Sequence, residues 1–262
     1  MLSVARRAKR GRFATAAARV YPEGSAGFNP FPALEEPVPP RSVPPSPVPP
    51  SRASDEPISA SEPLGGVVLA GGRSSRFGSD KMLADLGGRP LISHTLDHLR
   101  PQVAALAISA NGDPARFAAF GLAVLPDPVP DHQGPLAGVL AGLDWAAARG
   151  FRAIVTAAGD TPDFPEDLVT ALRVAAYSSR AHLAIACTPD AGGVAPHPTF
   201  ALWPVSLRDA LAEALAAGER RVRAFAEARG ATRAIFEGRG AACFHNINTP
   251  ADLAAAETGV GR

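Results

Sequence analysis

Thirteen of the chain's 27 prolines fall between residues 22 and 63. Proline locks φ and lacks a backbone donor, so this stretch can supply neither a helix interior nor a central strand. The run Pro37, Pro39, Pro40, Pro44, Pro45, Pro47, Pro49, Pro50 reads as a disordered or polyproline-type segment. Before it, residues 1–21 hold six basic residues and no acidic one. That composition suits an organellar transit peptide. A basic disordered tail or an upstream start codon explains it more simply, because the pattern is compositional only. A PxxP ligand is a further reading of the same stretch. The division expected is therefore a disordered extension over 1–63 and a folded domain over 64–258, one domain's worth of chain.

From Leu64 onward there are 18 Lys and Arg against 19 Asp and Glu, and the whole chain carries +1. That excludes a globally basic nucleic-acid binder. Two cysteines, Cys187 and Cys243, are too few for a disulfide scaffold or a four-cysteine zinc site. No stretch approaches 18 uncharged apolar residues, so no membrane span is expected. The expectation is a soluble, cytoplasmic protein that binds neither nucleic acid nor membrane.

The core alternates short apolar runs with amphipathic ones. Strands are expected at 66–69, 103–108, 122–125, 153–157, 182–187, 199–203, 234–236 and 244–247. Helices are expected at 90–99, 114–120, 135–148, 165–177, 205–216, 220–228 and 250–256. This alternation predicts a three-layer α/β/α fold around a mostly parallel, Rossmann-like sheet. Ligands then bind where strands end at their carboxyl termini.

The loop after the first strand reads Leu69-Ala70-Gly71-Gly72-Arg73-Ser74-Ser75-Arg76-Phe77-Gly78-Ser79-Asp80-Lys81. Its glycines let backbone N–H groups face a phosphate. Arg73, Arg76 and Lys81 can neutralise charge during phosphoryl transfer. The loop is neither a Walker A nor a GxGxxG; the plain alternative is a glycine turn before a helix. The chain has 24 arginines and two lysines, Lys9 and Lys81. Lys81 is thus the one lysine of the folded core, where a compact, mobile charge is distinguishable from arginine's planar fork.

Asparagine is equally sparse. Asn111, Asn246 and Asn248 each follow or end an apolar run, where a donor–acceptor side chain suits a nucleobase, ribose or pterin edge. Turn formation is the competing reading at Asn111-Gly112. Asn248 or Thr249 can cap a helix before Pro250. Asp160 follows the apolar run 153–158 and a glycine, a natural place for a Mg²⁺ ligand; Asp127, after the third core strand, can face the same cleft. Gly134-Pro135-Leu136-Ala137-Gly138 lets a helix N-terminus approach a ligand closely. His197-Pro198-Thr199 and Glu219-Arg220-Arg221 are weaker candidates.

Together these residues carry a resemblance. The 69–81 loop resembles the signature of nucleotidyltransferases that take an NTP and release pyrophosphate. Within that superfamily the chain resembles the molybdenum cofactor guanylyltransferases. Ser109-Ala110-Asn111, Asp127, the 134–138 segment, Gly159-Asp160-Thr161-Pro162, His197-Pro198-Thr199, 218–222 and Asn246-Ile247-Asn248-Thr249-Pro250 follow in family order. The resemblance implies transfer of GMP from GTP to Mo-molybdopterin, with Mg²⁺, giving molybdopterin guanine dinucleotide and pyrophosphate. It places Leu69, Ala70, Gly71 and Gly72 against the nucleotide, with Asn111 and Asp127. It gives Lys81 and Arg76 the phosphates, Asp160 the metal, and Asn246 and Asn248 the pterin side. It points to molybdoenzymes or their chaperones as possible recipients of the product. Phe77 stands where the family often has methionine, and Gly159 where it often has cysteine. The alternatives are a cytidylyltransferase, in which alanine tends to replace Gly71, and a non-catalytic nucleotide-binding module.

Overall fold

The computed structural model describes residues 58–59, 61–71, 80–129, 134–178, 182–237 and 243–260, with side chains to 257. The chain divides into two units, residues 1–49 and 50–262; every described residue belongs to the second. The expected disordered extension, Gly72 and Arg76 lie largely or wholly outside the described residues.

Nine strands are described: β1 (Gly65–Leu69), β2 (Asp85–Leu86), β3 (Arg89–Pro90), β4 (Ala105–Ser109), β5 (Ala123–Leu125), β6 (Ala153–Ala158), β7 (Ala184–Asp190), β8 (Gly193–Pro204) and β9 (Thr232–Ile235). The helices are α1 (Leu91–Leu99), α2 (Pro135–Ala148), α3 (Leu168–Tyr177), α4 (Arg208–Ala216), α5 (Val222–Ala228) and α6 (Pro250–Val260). Seven strands form one sheet in the order β5-β4-β1-β6-β8-β7-β9. β8 runs antiparallel to β6 and β7, and the other sheet pairs are parallel.

Strand side chains alternate between faces. On β1, Val68 joins the core with Ile92, Leu96, Phe117, Val155, Leu168 and Phe200. Val67 and Leu69 face the other way, toward Leu136, Leu140, Leu143, Trp145 and Trp203. The sheet is thus covered on both faces, as the expected three-layer fold requires. Among the described residues no helix is long and apolar enough to cross a membrane.

Register matters most for the site. Leu69 of β1 lies level with Ser109 of β4 and Ala158 of β6, and Ser109 lies level with Leu125 of β5. Four strands therefore end together, bringing Ala70-Gly71, Ala110-Asn111, Gly159-Asp160 and Asp127 to one edge of the sheet.

The structure departs from the expected elements in four places. Residues 244–247 form no strand. Phe244 has φ 65°, its N–H donates to the Asp163 carbonyl, and the Ile247 N–H donates to the Asp160 carbonyl. The segment's donors are spent on the loop after β6 rather than on a ladder. β8 starts at Gly193, six residues before the expected Thr199, because it pairs with β7 in a long hairpin. α3 begins at Leu168 rather than Pro165. The short β2–β3 hairpin, turned by Gly87 and Gly88 at φ 64° and 83°, was too brief for an alternating pattern.

Packed contacts also begin upstream of the boundary expected at 63/64. Ile58 is buried in the core. Arg173 Nη1 donates to the Ser59 carbonyl at 2.6 Å, its Nη2 donates to the Glu62 carbonyl, and Arg152 pairs with Glu62 at 3.3 Å. Proline content marks where regular structure stops, not where side chains cease to dock.

Candidate active site

The strand ends open onto a cavity of about 550 Å³, lined by Leu69, Gly71, Met82, Ser109, Asn111, Asp127, Gly134, Pro135, Gly138, Ala158, Asp160, Thr199 and Asn246. Ala70 does not line it; its N–H donates to the Ser109 carbonyl at 2.8 Å, pinning the turn that presents Gly71. The Gly159 N–H likewise donates to the Leu69 carbonyl at 2.9 Å. The β1 and β6 loops are thus laced together just before they diverge around the cavity.

One end of the cavity is charged. Lys81 opens a 3-10 turn (Lys81–Leu83) capped by Asp80. Its Nζ donates to Asp160 Oδ2 at 2.6 Å and to Asn248 Oδ1 at 3.2 Å. The Lys81 and Asp160 side chains are only 13% and 16% exposed, so each charge is compensated largely by the other. Thr161 Oγ1 donates to Asn246 Oδ1 at 2.7 Å. Asn248 is held there by a capping box. Asp252 Oδ2 accepts from the N–H groups of Asn248 and Thr249, and the Asp252 N–H donates to Thr249 Oγ1. Those backbone hydrogen bonds, first from Asn248, hold the Asp252 carboxyl below its ordinary range.

The other end pairs an amide with a carboxylate. Asn111 Nδ2 donates to Asp127 Oδ2 at 2.7 Å, and the Asp127 N–H returns a bond to Asn111 Oδ1 at 2.9 Å. Two reciprocal bonds fix both side chains in advance of any ligand. Facing them, α2 begins at Pro135. A Cβ on Gly138 would lie 2.5 Å from Ser109 Oγ and 3.0 Å from Leu69 Cδ2, so glycine is required for the helix to sit this close to β1 and β4.

The weaker candidates His197, Glu219, Arg220 and Arg221 do not line this cavity. His197 stacks on Phe244, centroids 4.5 Å apart, with Nε2 2.9 Å from Thr188 Oγ1. Burial lowers its pKa, favouring a neutral packing ring; Thr199, two residues on, reaches the cavity. Glu219 accepts from the N–H groups of Arg221 and Arg220, which depress its pKa, and Arg220 donates to the carbonyls of Leu215 and Glu219. That trio is a self-locked turn. Sequence reasoning missed Met82 and Ala158, whose apolar side chains carry no chemical signal. It also missed Asp80 and Arg116, which join at 2.5 Å.

Among the described residues no cluster of three or more His, Cys, Asp or Glu could hold a metal. One carboxylate, Asp160, lines the cavity and could hold a divalent cation shared with nucleotide phosphates.

Comparison with known proteins shows the family and the fold. Residues 66–233 match the MobA-like NTP transferase domain. A molybdenum cofactor guanylyltransferase of Cereibacter sphaeroides is 52% identical over 194 residues, covering 74% of this chain and 95% of the relative. One from Mesorhizobium japonicum is 48% identical over 199 residues, covering 74% and 94%. Among solved structures, molybdopterin-guanine dinucleotide biosynthesis protein A from Archaeoglobus fulgidus superposes with TM-score 0.59 at 24% identity, covering 76% of this chain and 99% of that one. A 4-diphosphocytidyl-2C-methyl-D-erythritol synthase from Anaerococcus prevotii gives 0.61 at 13% identity, covering 77% and 99%. These two likenesses speak to the fold alone.

Proposed function

This chain belongs to the MobA-like NTP transferases, in the molybdenum cofactor guanylyltransferase family, and on that premise we propose that it transfers GMP from GTP to Mo-molybdopterin through Lys81 and Asp160. The observation that carries the residue assignment is the Lys81–Asp160 pair at 2.6 Å, set in one cavity with the preformed Asn111–Asp127 pair.

In this reading the nucleoside lies against Leu69, Gly71, Asn111 and Asp127, with α2 closing over it. The GTP phosphates reach Lys81, and Arg76 assists from the glycine loop. A terminal phosphate oxygen of molybdopterin attacks the α-phosphorus in line. The new P–O bond forms as the α–β phosphoanhydride breaks, and pyrophosphate leaves with the electron pair. The nucleophile is already an anion, so the protein's task is alignment and charge neutralisation rather than proton removal. A Mg²⁺ held by Asp160 and the phosphates would offset charge on the leaving group. Lys81 and Asp160 neutralise each other without ligand; with GTP bound, Lys81 turns to phosphate and Asp160 is freed for the cation. Asn246 and Asn248 flank this pair and face the pterin substrate. A cytoplasmic location and delivery of the product to molybdoenzymes or their chaperones belong to the same proposal.

The test is pyrophosphate release by the full chain with Mg²⁺ and Mo-molybdopterin, comparing GTP, CTP and ATP. Release with GTP alone is expected. Release with CTP alone would move the chain to cytosine chemistry, and GTP binding without release would leave a binding module.

A further inference from the structure

We propose that Arg116 is a positioning residue for this transferase, one guanidinium that holds the Lys81 turn and the Asn111 loop in fixed relation across the cavity. The inference rests on the GTP reading above. Arg116 lies in the 3-10 helix Pro114–Phe120 that follows β4. Its Nη1 donates to Asp80 Oδ2 at 2.5 Å and its Nη2 to the Asn111 carbonyl at 3.1 Å. The second Asp80 oxygen accepts from the Met82 N–H at 3.2 Å, capping the turn whose first residue is Lys81. Asn111 is in turn gripped by Asp127. A continuous chain of bonds therefore runs from the Lys81 turn through Asp80, Arg116 and Asn111 to Asp127, from the phosphate end of the cavity to the nucleoside end.

Two observations separate this from an ordinary surface ion pair. The Arg116 and Asp80 side chains are only 30% and 26% exposed, and the guanidinium sits 4.5 Å over the ring of Phe117, which is itself fully buried. Second, Arg116 Nε is buried without a hydrogen-bond partner among the described residues. Leaving a buried donor unmade is costly. The arrangement accepts that cost while keeping both Nη contacts, which a planar fork can make together and a lysine ammonium cannot match in geometry.

The experiment compares the full wild-type chain with Arg116→Met, Arg116→Lys, Asp80→Asn and the Arg116→Met/Asp80→Asn double variant, with Arg223→Ala as a surface control. GTP affinity is read by calorimetry with Mg²⁺, kcat and KM for GTP by pyrophosphate release, and folding by thermal melting. Arg116→Met is expected to raise both Kd and KM for GTP about 10-fold, the scale of a lost charge-assisted hydrogen bond, and to lower kcat. Arg116→Lys should restore only part of this. Asp80→Asn retains an oxygen for the Met82 cap but loses its charge to Arg116, and should reproduce the defect. The double variant should be no worse than the more severe single one. Unchanged Kd and KM with a lowered melting temperature would overturn the proposal, as would additive effects or full rescue by lysine. Should Arg116→Met fail to fold, Arg116→Lys and Asp80→Asn carry the same comparison. A wild-type chain without GTP-dependent pyrophosphate release fails the parent reading; an active wild type with indifferent variants fails this inference only.

Discussion

The two ends of strands β1 and β6 are built on opposite plans. At the amino end, polar groups find protein partners and apolar ones are filled. The Ala104 N–H donates to the Leu64 carbonyl at 2.9 Å and the Val205 N–H to the Arg152 carbonyl at 2.8 Å, Glu62 meets Arg152, and Ile58 is buried. At the carboxyl end the same strands diverge around a cavity of about 550 Å³, where Lys81 pairs with Asp160 and Asn111 with Asp127. One end spends its groups on stability; the other holds them ready for exchange with a ligand. Removing a group should therefore cost activity at one end and stability at the other.

The sharpest test is Lys81→Ala. It leaves the strand packing intact and removes the cation meant for phosphate, so kcat/KM should fall by roughly 100-fold or more, as for lost transition-state charge contacts. Steady-state pyrophosphate release measures it, and near-normal turnover would break the assignment. Asp160 loses its partner in this variant, so melting should be followed in parallel; a collapse of folding would mean the carboxyl end also bears stability.

Next comes Asp127→Ala. It removes the acceptor of Asn111 Nδ2 but no charge from the Lys81 end. KM for GTP should rise about 30-fold, the range for hydrogen bonds to a charged group, with kcat less affected. An equal loss in kcat with KM unchanged would show that this pair serves the transition state rather than nucleoside binding.

How much of this contrast could be read in the sequence differs between the two ends. The residues gathered at the carboxyl end were legible because their types are unusual in this chain. Lys81 stands out among arginines, Asp160 follows an apolar run, and Asn111, Asn246 and Asn248 are rare. The parallel strands were legible from their apolar runs, and α2 was expected over its observed span. The amino end was not, since Ile58 docks from a segment whose prolines advertise irregular backbone. Arg116 was hidden for a different reason. It is one arginine among 24, and its importance lies in spanning to Asp80, 36 residues away, which no local pattern encodes. The 244–247 segment misled because alternating apolar residues fit a strand equally well as a strap whose N–H groups bond to a loop.

Gly71→Ala probes the cavity with a smaller change. A Cβ there would meet nothing within 4 Å, so the variant should fold like wild type while a methyl group enters the space beside the nucleoside. GTP KM should rise about 5-fold, the low end for one methyl group in a pocket. A relative gain for CTP, measured as the kcat/KM ratio of the two nucleotides, would identify this position as a determinant of base choice; an unchanged ratio would assign that choice elsewhere.

The smallest expected effect on activity comes from the amino end, and it separates the two plans most cleanly. Removing residues 1–57 leaves the contacts of Ile58, Ser59 and Glu62 in place, whereas removing 1–63 takes away Ile58, the Ser59 and Glu62 carbonyls that hold Arg173, and the Glu62 carboxylate opposite Arg152. Burial lowers the Arg173 pKa while Glu62 raises it, so the longer deletion also strips a partly desolvated cation of its compensation. Loss of the Ile58 burial alone is worth about 1.5–3 kcal/mol, and the melting temperature should fall by about 5 °C for a domain of this size. The shorter deletion should melt like the full chain. Both should keep wild-type kcat and KM at 25 °C, because the lost contacts lie at the amino ends of β1 and β6, the length of a strand from Lys81 and Asp160. A fall in kcat without a fall in melting temperature would mean that the docked segment reaches the chemistry through the sheet, and the division between a stabilising end and a reactive end would no longer hold.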